Sequence, residues 1–502
     1  MLQNFILSIG DPLVIISPLV ILSVVGLIIM LQPLSSAGTK PGLNAGNTAL
    51  VTLILALVFF AVVRGNYSSN LLGFLAFLKV DHQAGLITLL LLVAAAFSVV
   101  IVKATPLSHA IRSKNDFYAL LLFSVCGAWV MLVANELVTL FVGLELTSLA
   151  LYALCASASG RPASVESGFK YLLTGSFSSA FFLLGMAFYF GATGKLVLGI
   201  SNIPQLLASS SEYSSYLFIA GLVLMVLAIA FKIALAPFHS WATDVYDGAP
   251  TGVTAYMSTA VKAVSLAVFF RLLEPVIDLA LPHPGAWLGL VWLLACLTML
   301  VGNLLALRQV TLKRLLACSS IAHAGYVLLA LPAAGMIGGV SVFVYYLFIY
   351  MFLATAAFGV LALIEEKQLA GKEGSIKISD LAGLYTKSPA LALGLSISLL
   401  GLAGLPPVFG GLLSKALVFA AALSQGMVGA VVVAAISAAI GAAYYLKVLV
   451  TIYFSPAAEV ESASNNISCS ETKTWLYAVI IVCCLAAVLL GVFPGVILVP
   501  NL

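Results

Sequence analysis

Residues 389–421 read PALALGLSISLLGLAGLPPVFGGLLSKALVFAA, with a single charge at Lys415 and a proline pair, Pro406-Pro407, near the middle. The run is too long for one straight crossing of a bilayer, whose hydrocarbon takes about 20 helical residues. Proline removes a helix hydrogen bond and clashes with the preceding turn, so the pair should split the run into two half-helices. Lys415 then falls eight residues beyond Pro407. A second stretch, Phe231-Lys-Ile-Ala-Leu-Ala-Pro-Phe-His239, puts Lys232 five residues before Pro237. Broken helices with inward polar groups at corresponding positions of two halves point to a transporter's ion path. The fold class expected from these stretches is an all-α polytopic membrane protein.

The rest of the chain agrees. Of 502 residues, 63% are hydrophobic and 8% charged, against about 25% charged in a soluble domain. Spans are expected near 13–31, 47–63, 85–102, 117–133, 135–156, 170–192, 215–236, 250–272, 286–306, 313–331, 338–363, 389–421, 428–454 and 475–497, about fourteen in all. The larger loops are 33–46, 64–84, 364–388 and 455–474, which leaves no room for a soluble domain. Residues 1–15 hold no basic residue, so the first span should be retained rather than cleaved. The seven cysteines (Cys126, Cys155, Cys296, Cys318, Cys469, Cys483 and Cys484) form no CxxC pair and no cluster with histidine, so no iron–sulfur or zinc site is expected in this chain. Gly191-Ala-Thr-Gly-Lys195 lacks the spacing of a phosphate loop, and no Gly-x-Gly-x-x-Gly is present. The chain should therefore neither hydrolyse ATP nor bind NADH, and nothing suggests a nucleic acid partner.

Numbering the loops alternately, one side receives Lys40, Lys103, Arg112, Lys114, Arg161, Lys170, Arg308, Lys313, Arg314, Lys367, Lys372, Lys377, Lys387 and Lys473. The other receives Arg64, Lys79, Lys195 and Arg271. This bias assigns the first set to the cytoplasm, or its organellar equivalent, and both termini to the outside.

Four lysines belong to no loop: Lys232, Lys262, Lys415 and Lys447. With Glu145 they are the informative residues, because a charge at mid-bilayer costs about 2.5–3.5 kcal/mol on insertion scales and by default marks ion or proton handling. Glu145, in Leu140-Phe-Val-Gly-Leu-Glu-Leu146, and Lys262 both sit near the middle of their spans. Lys262 shares a helical face with Ser258 and Ser265. Lys232 reaches mid-membrane only if the chain continues beyond Pro237 as a second half-helix; otherwise it can snorkel to the interface. Ser319, Ser320, His323 and Tyr326 form one polar face on an apolar helix, which suits either packing or a hydrated path. Lys447, after Tyr444 and Tyr445, is explained equally by snorkelling and by conduction. Such a set suits proton transfer, since burial disfavours a charged amine and a nearby carboxylate favours it. No metal or organic cofactor is needed for that chemistry.

Ala236-Pro-Phe-His-Ser-Trp-Ala-Thr-Asp-Val-Tyr-Asp-Gly-Ala-Pro250 resembles the signature of the antiporter-like membrane subunits of NADH–quinone oxidoreductase (respiratory complex I), and its Asp244–Pro250 ending is of the N type. Ala255-Tyr-Met-Ser-Thr-Ala-Val-Lys-Ala263, Lys313–Tyr326, Asp380-Leu-Ala-Gly-Leu384 and Gly404–Phe419 are similar to later motifs of that family, and the resemblance covers roughly 100–455. Thr243, where the family pattern usually has proline, and Val408-Phe-Gly-Gly, where an aromatic-rich Phe-x-Gly-Phe is common, depart from it.

The resemblance implies two inverted five-helix repeats, each with a broken helix. Residues 1–110 would be helices 1–3, 111–275 the first repeat, 280–455 the second, and 470–502 helix 14. It implies that Glu145 modulates Lys232, that Lys262 connects onward, that His323 lies on a central axis, and that Lys415 serves the exit side. Ser258, Ser265, Ser319, Ser320, Tyr326 and Lys447 would be further relay positions beside the breaks at Pro237, Pro406 and Pro407. It further implies a proton-translocating subunit of the bacterial inner membrane, with an organellar inner membrane the other location. NADH, FMN, iron–sulfur clusters and quinone would be bound by partner subunits, and the neighbours would be another antiporter-like subunit, small membrane subunits and lipid. A subunit of a multi-subunit sodium/proton antiporter or of a membrane-bound hydrogenase is the alternative. The Asp244–Pro250 ending argues against it, as does a chain that stops after span 14 without a lateral helix. An inert assembly scaffold is the third reading.

Overall fold

The computed structural model describes residues 2–35, 44–63, 77–105, 111, 113–198, 212–278, 284–331, 339–368, 375–456 and 471–498. Lys40, Arg64, Arg112, Lys372, Cys469 and both chain termini, all named above, lie outside these residues. Within them the chain is helical, with a few isolated β-bridges. Lipid offers no partner for backbone N–H and C=O groups, so an apolar chain satisfies them within helices.

The helices are α1 (Leu2–Ser35), α2 (Ala45–Val63), α3 (His82–Ala104), α4 (Lys114–Val133), α5 (Leu137–Cys155), α6 (Pro162–Thr193), α7 (Glu212–Ile233) and α8 (Ser240–Gly248). They continue with α9 (Thr251–Tyr256), α10 (Lys262–Asp278), α11 (Pro284–Leu307), α12 (Leu312–Leu328), α13 (Gly339–Gln368), α14 (Pro389–Ala403), α15 (Phe409–Ser424), α16 (Val428–Phe454) and α17 (Glu471–Val492). Eleven of the described helices or helical runs are long and apolar enough to cross a membrane, with shorter apolar helices at Ala45–Ala61, Pro389–Ala403 and Phe409–Ser424. Outward faces carry large apolar side chains such as Phe177, Leu173 and Leu149, which suits contact with hydrocarbon.

Several helices outrun their expected spans. The first begins at Leu2 rather than near 13, and α6 begins at Pro162 rather than 170 because proline is well tolerated in a first turn. Lys170 is thus a helix residue, not a loop residue.

At the centre, α9 runs through a π turn, Met257–Val261, into α10, and every residue of Thr251–Leu273 except Arg271 is buried. It packs on α3, α4 and α7 and, from the later part of the chain, on α13.

Both breaks read from the prolines are present and have the same local form. After α7, Ala234 takes a left-handed conformation (φ 63°), and the N–H groups of Ala234 and Leu235 bond to Phe231 O and Ala230 O. After α14, Gly404 (φ 79°) and Leu405 bond in the same way to Gly401 O and Leu400 O. This is a Schellman ending, which satisfies the last carbonyls of a helix. In the first break, Trp241 Nε1 also donates to Phe231 O at 3.1 Å, and Ala236 N–H donates to Thr298 Oγ1 at 3.0 Å. The chain restarts as α8 in one case and α15 in the other.

Aligned on Ala234 and Gly404, Lys232 matches Leu402, so the two lysines lie on opposite sides of their breaks. Their positions do not correspond, because one precedes its left-handed residue by two and the other follows its own by eleven.

Asp81 fastens the start of α3 to α10. Its carboxylate caps α3 through Ala84 N–H at 2.7 Å and pairs with Arg271 at 2.6 Å. Burial works against the charged form of Asp81, but Arg271 and the Ala84 N–H outweigh it and hold the pKa below the ordinary 3.8. A lowered carboxylate pKa stabilises the fold above the unfolded value, and that contribution is lost as pH falls through the folded one. Asp81→Ala is expected to cost about 1–2 kcal/mol, from a lost cap and a partly exposed pair. Thermal unfolding in detergent checks this: the gap between wild type and variant should narrow at about pH 3.

Candidate functional site

Of the ionisable residues singled out from sequence, Glu145 and Lys232 lie in one buried cluster and Lys262, His323 and Lys415 around a second. Lys232, in the last turn of α7, is buried at 7% exposure. Its Nζ donates to Ser148 Oγ on α5 at 2.8 Å and lies over the Tyr152 and Tyr171 rings, 6.0 and 5.1 Å from their centroids. The last turn of a helix and an aromatic face both favour a cation. Glu145, one turn before Ser148 on α5, is half-buried and accepts the Ser179 hydroxyl from α6. Lys232 thus reaches, through Ser148, the turn of α5 that carries Glu145, while Ser179 ties Glu145 to α6.

Lys262 opens α10 at 4% exposure. Its Nζ donates to Ser320 Oγ at 2.5 Å and to Ser320 O at 3.0 Å on α12. A cavity of about 10 Å³, roughly one water in size, adjoins it, lined among others by Ser258, Thr259, Lys262, Ser320, His323 and Tyr350. Ser265 does not line it and donates instead to Val261 O at 2.8 Å. Thr259 joins Ser258 in lining it, beside a π turn, Met257–Val261, that leads into Lys262.

The polar face of α12 divides between two neighbours. Ser320 serves Lys262, while Ser319 and the Tyr445 hydroxyl hydrogen-bond on the other side. His323 has Tyr346 OH at 2.7 Å from Nδ1 and Tyr445 OH at 3.4 Å from Nε2. Tyr326 accepts from Asn303 Nδ2 at 3.1 Å, and Asn303 also binds Ser437 and the Tyr444 hydroxyl.

Lys415, on α15, reaches back across its break and donates to Leu402 O at 2.9 Å and Ala403 O at 2.8 Å, over the Tyr326 ring at 5.2 Å. Two carbonyls at the end of a half-helix form a natural cation seat. Lys447 is exposed on α16 and does not join these clusters. Of its two readings, this position suits snorkelling. Pro237, Pro406 and Pro407 lie at exposed positions of the breaks, while Ala234 and Gly404 are buried.

Several partners escaped sequence reading. Ser148 was visible three residues after Glu145, and Asn303 as the one asparagine of its span. Tyr152, Tyr171 and Tyr346 carried no signal, since a tyrosine in an apolar helix reads as core. Lys313 and Glu365, assigned to loops, are buried at 2% and 5% exposure.

The fold and these clusters define a polytopic helical membrane protein with ionisable side chains enclosed in its centre. Residues 134–441 match the NADH:quinone oxidoreductase/Mrp antiporter transmembrane family, and the chain belongs to that family. It is similar to NADH-quinone oxidoreductase subunit N of Trichlorobacter lovleyi, 37% identical over 89% of this chain and 88% of that one. A chain of respiratory complex I from Thermus thermophilus superposes with a TM-score of 0.76 at 32% identity, covering 96% of this chain and 98% of that one. A chain of the Mrp complex from Dietzia sp. shares the fold, with a TM-score of 0.78 at 20% identity over 99% of this chain and 96% of that one.

Proposed function

We propose that this chain is the N-type, proton-translocating membrane subunit of NADH:quinone oxidoreductase, moving protons while quinone is reduced in partner subunits. The observation that carries this reading is the enclosure of Lys232, Lys262, His323 and Lys415 in one membrane-embedded core, each held by hydroxyls, rings or carbonyls. None of these partners is a permanent counter-charge, so a proton can leave or load each amine as nearby charges change. Glu145 is the movable negative charge for Lys232, with Ser148 and Ser179 as its go-betweens. Lys262 exchanges protons with His323 through Ser320 and the small cavity, and His323 with Lys415 along the tyrosines of α12, α13 and α16.

In this reading the chain spans the membrane fourteen times, counting α2, α12, the α7–α8 pair and the α14–α15 pair as one span each. The two broken helices belong to inverted five-helix repeats, spans 4–8 and 9–13 of these fourteen. The chain has a non-redox part in the enzyme: NADH, FMN, iron–sulfur clusters and quinone belong to partner subunits. It sits in a bacterial inner membrane with both termini on the periplasmic side, beside another antiporter-like subunit and small membrane subunits.

Lys232→Ala, introduced into the assembled complex in vesicles, tests the reading through quinone reduction and proton uptake measured together. Both should fall by about tenfold or more, the scale of a lost acid–base group, with assembly unchanged. Unchanged rates would make Lys232 a packing residue.

A further inference from the structure

A second buried acid and amine, unused so far, are each held near the starts of α9 and α12. Glu365 Oε2 on α13 accepts the Thr251 hydroxyl at 2.6 Å, and Lys313 Nζ donates to Ala249 O at 2.6 Å. The charges of Glu365 and Asp247 reach Lys313, with Arg161 as the opposing cation. On the outer side of this pair lies a chain of surface charges. Lys170 binds Asp244 at 2.9 Å, Arg314 binds Asp244 at 3.0 Å and Asp247 at 2.9 Å, and Ser375 donates to Asp247 at 2.8 Å. On the inner side, α9 and α12 lead from the pair to Lys262 and Ser320. Lys262 comes eleven residues after Thr251 and Ser320 seven after Lys313, rises of about 16 and 10 Å. The buried hydroxyls of Thr254, Ser258 and Thr259 lie along that run, and a helical lysine leans back toward the start of its helix.

Resting on the proton-translocation reading above, we propose that Glu365 is a proton-loading site: it takes a proton at the charged surface and releases it inward toward Lys262. The carboxylate accepts one proton from water at the Asp244–Asp247–Arg314 network and becomes a neutral acid. Releasing that proton along the hydroxyls restores the carboxylate, so each cycle closes without a redox partner. Lys313 is the fixed counter-charge that keeps the emptied carboxylate tolerable in a buried place. The groups facing Glu365 are Thr251 from α9 and Lys313 from α12, with Asp247 of α8 beyond Lys313. On its own helix, Glu366 pairs with Lys473 at 3.3 Å.

A mere clasp between helices would behave differently. Gln keeps the size of Glu365 and an oxygen for Thr251 but carries no proton, whereas Asp carries a proton but is too short for the clasp. The test is quinone reduction and proton uptake by the whole complex in vesicles, over about pH 6–9. Glu365→Gln should lose about tenfold in both rates, while Glu365→Asp keeps most of the rate with a displaced pH optimum. Wild-type rates and an unmoved pH profile in the Gln variant would overturn the proposal. Should that variant fail to assemble, the Asp variant decides: a displaced optimum supports loading at this site, and an unmoved one overturns it. Lys262→Met, run alongside, separates the two levels. If it is silent as well, proton translocation through this chain falls; if it alone is impaired, only the role of Glu365 falls.

Discussion

Lys262→Met in the assembled complex should lower proton uptake and quinone reduction together, by about tenfold or more, without loss of the subunit. Methionine matches the length of lysine and is at home in an apolar core, so the helix Thr251–Leu273 keeps its packing. What disappears is the ammonium that donates to Ser320 and borders the small cavity with His323. Removing a buried charge also removes its desolvation cost, so the variant should be at least as stable as the wild type. Stability and activity therefore move in opposite directions, which a packing role does not predict. A variant that pumps normally at normal abundance would remove Lys262 from the path.

Gly411→Ala should have the second large effect, on assembly as well as transport. A Cβ at this position would lie 1.8 Å from Gly401 O and 2.6 Å from Gly401 C, both backbone atoms with no freedom to swing aside. The half-helices α14 and α15 would have to separate, at the roughly 1–3 kcal/mol or more typical of overpacking. Lys415, one turn further along α15, would then leave the carbonyls of Leu402 and Ala403. Less assembled complex, and slow proton uptake in what does assemble, is the expected result on native gels and in vesicles. Gly429→Ala is the control, since its Cβ would meet only the Trp292 ring at an ordinary 3.7 Å. Equal behaviour of the two variants would mean that the half-helices do not touch as described.

The helical architecture and both breaks were legible in the sequence because lipid leaves an apolar chain few options and proline forbids one of them at Pro237 and Pro407. Lys232, Lys262 and Lys415 stood out for the same reason: a charge far from any loop has to be enclosed. Lys313 and Glu365 did not stand out, because a charge near the end of a span reads as a solvated one. Only packing shows them enclosed, Glu365 against Thr251 and Lys313 against the Ala249 carbonyl. The π turn before Lys262 was equally hidden, since Met257–Val261 has the composition of any buried helix. The exchange of sides between Lys232 and Lys415 shows in their distances from Pro237 and Pro407. Its meaning needed the geometry of Ala234 and Gly404, which mark equivalent points in the two breaks.

The enclosed helix Thr251–Leu273 also sets a timetable for synthesis. It has no lipid-facing side, and one of its walls, α13, ends at Gln368, ninety-five residues after Leu273. At about 5–20 residues per second, a ribosome needs roughly 5–20 s to supply that wall. For this interval a helix bearing Lys262, Ser258 and Thr259 lies open on one side. The insertion machinery, rather than the finished fold, has to shelter it until the second half of the chain arrives.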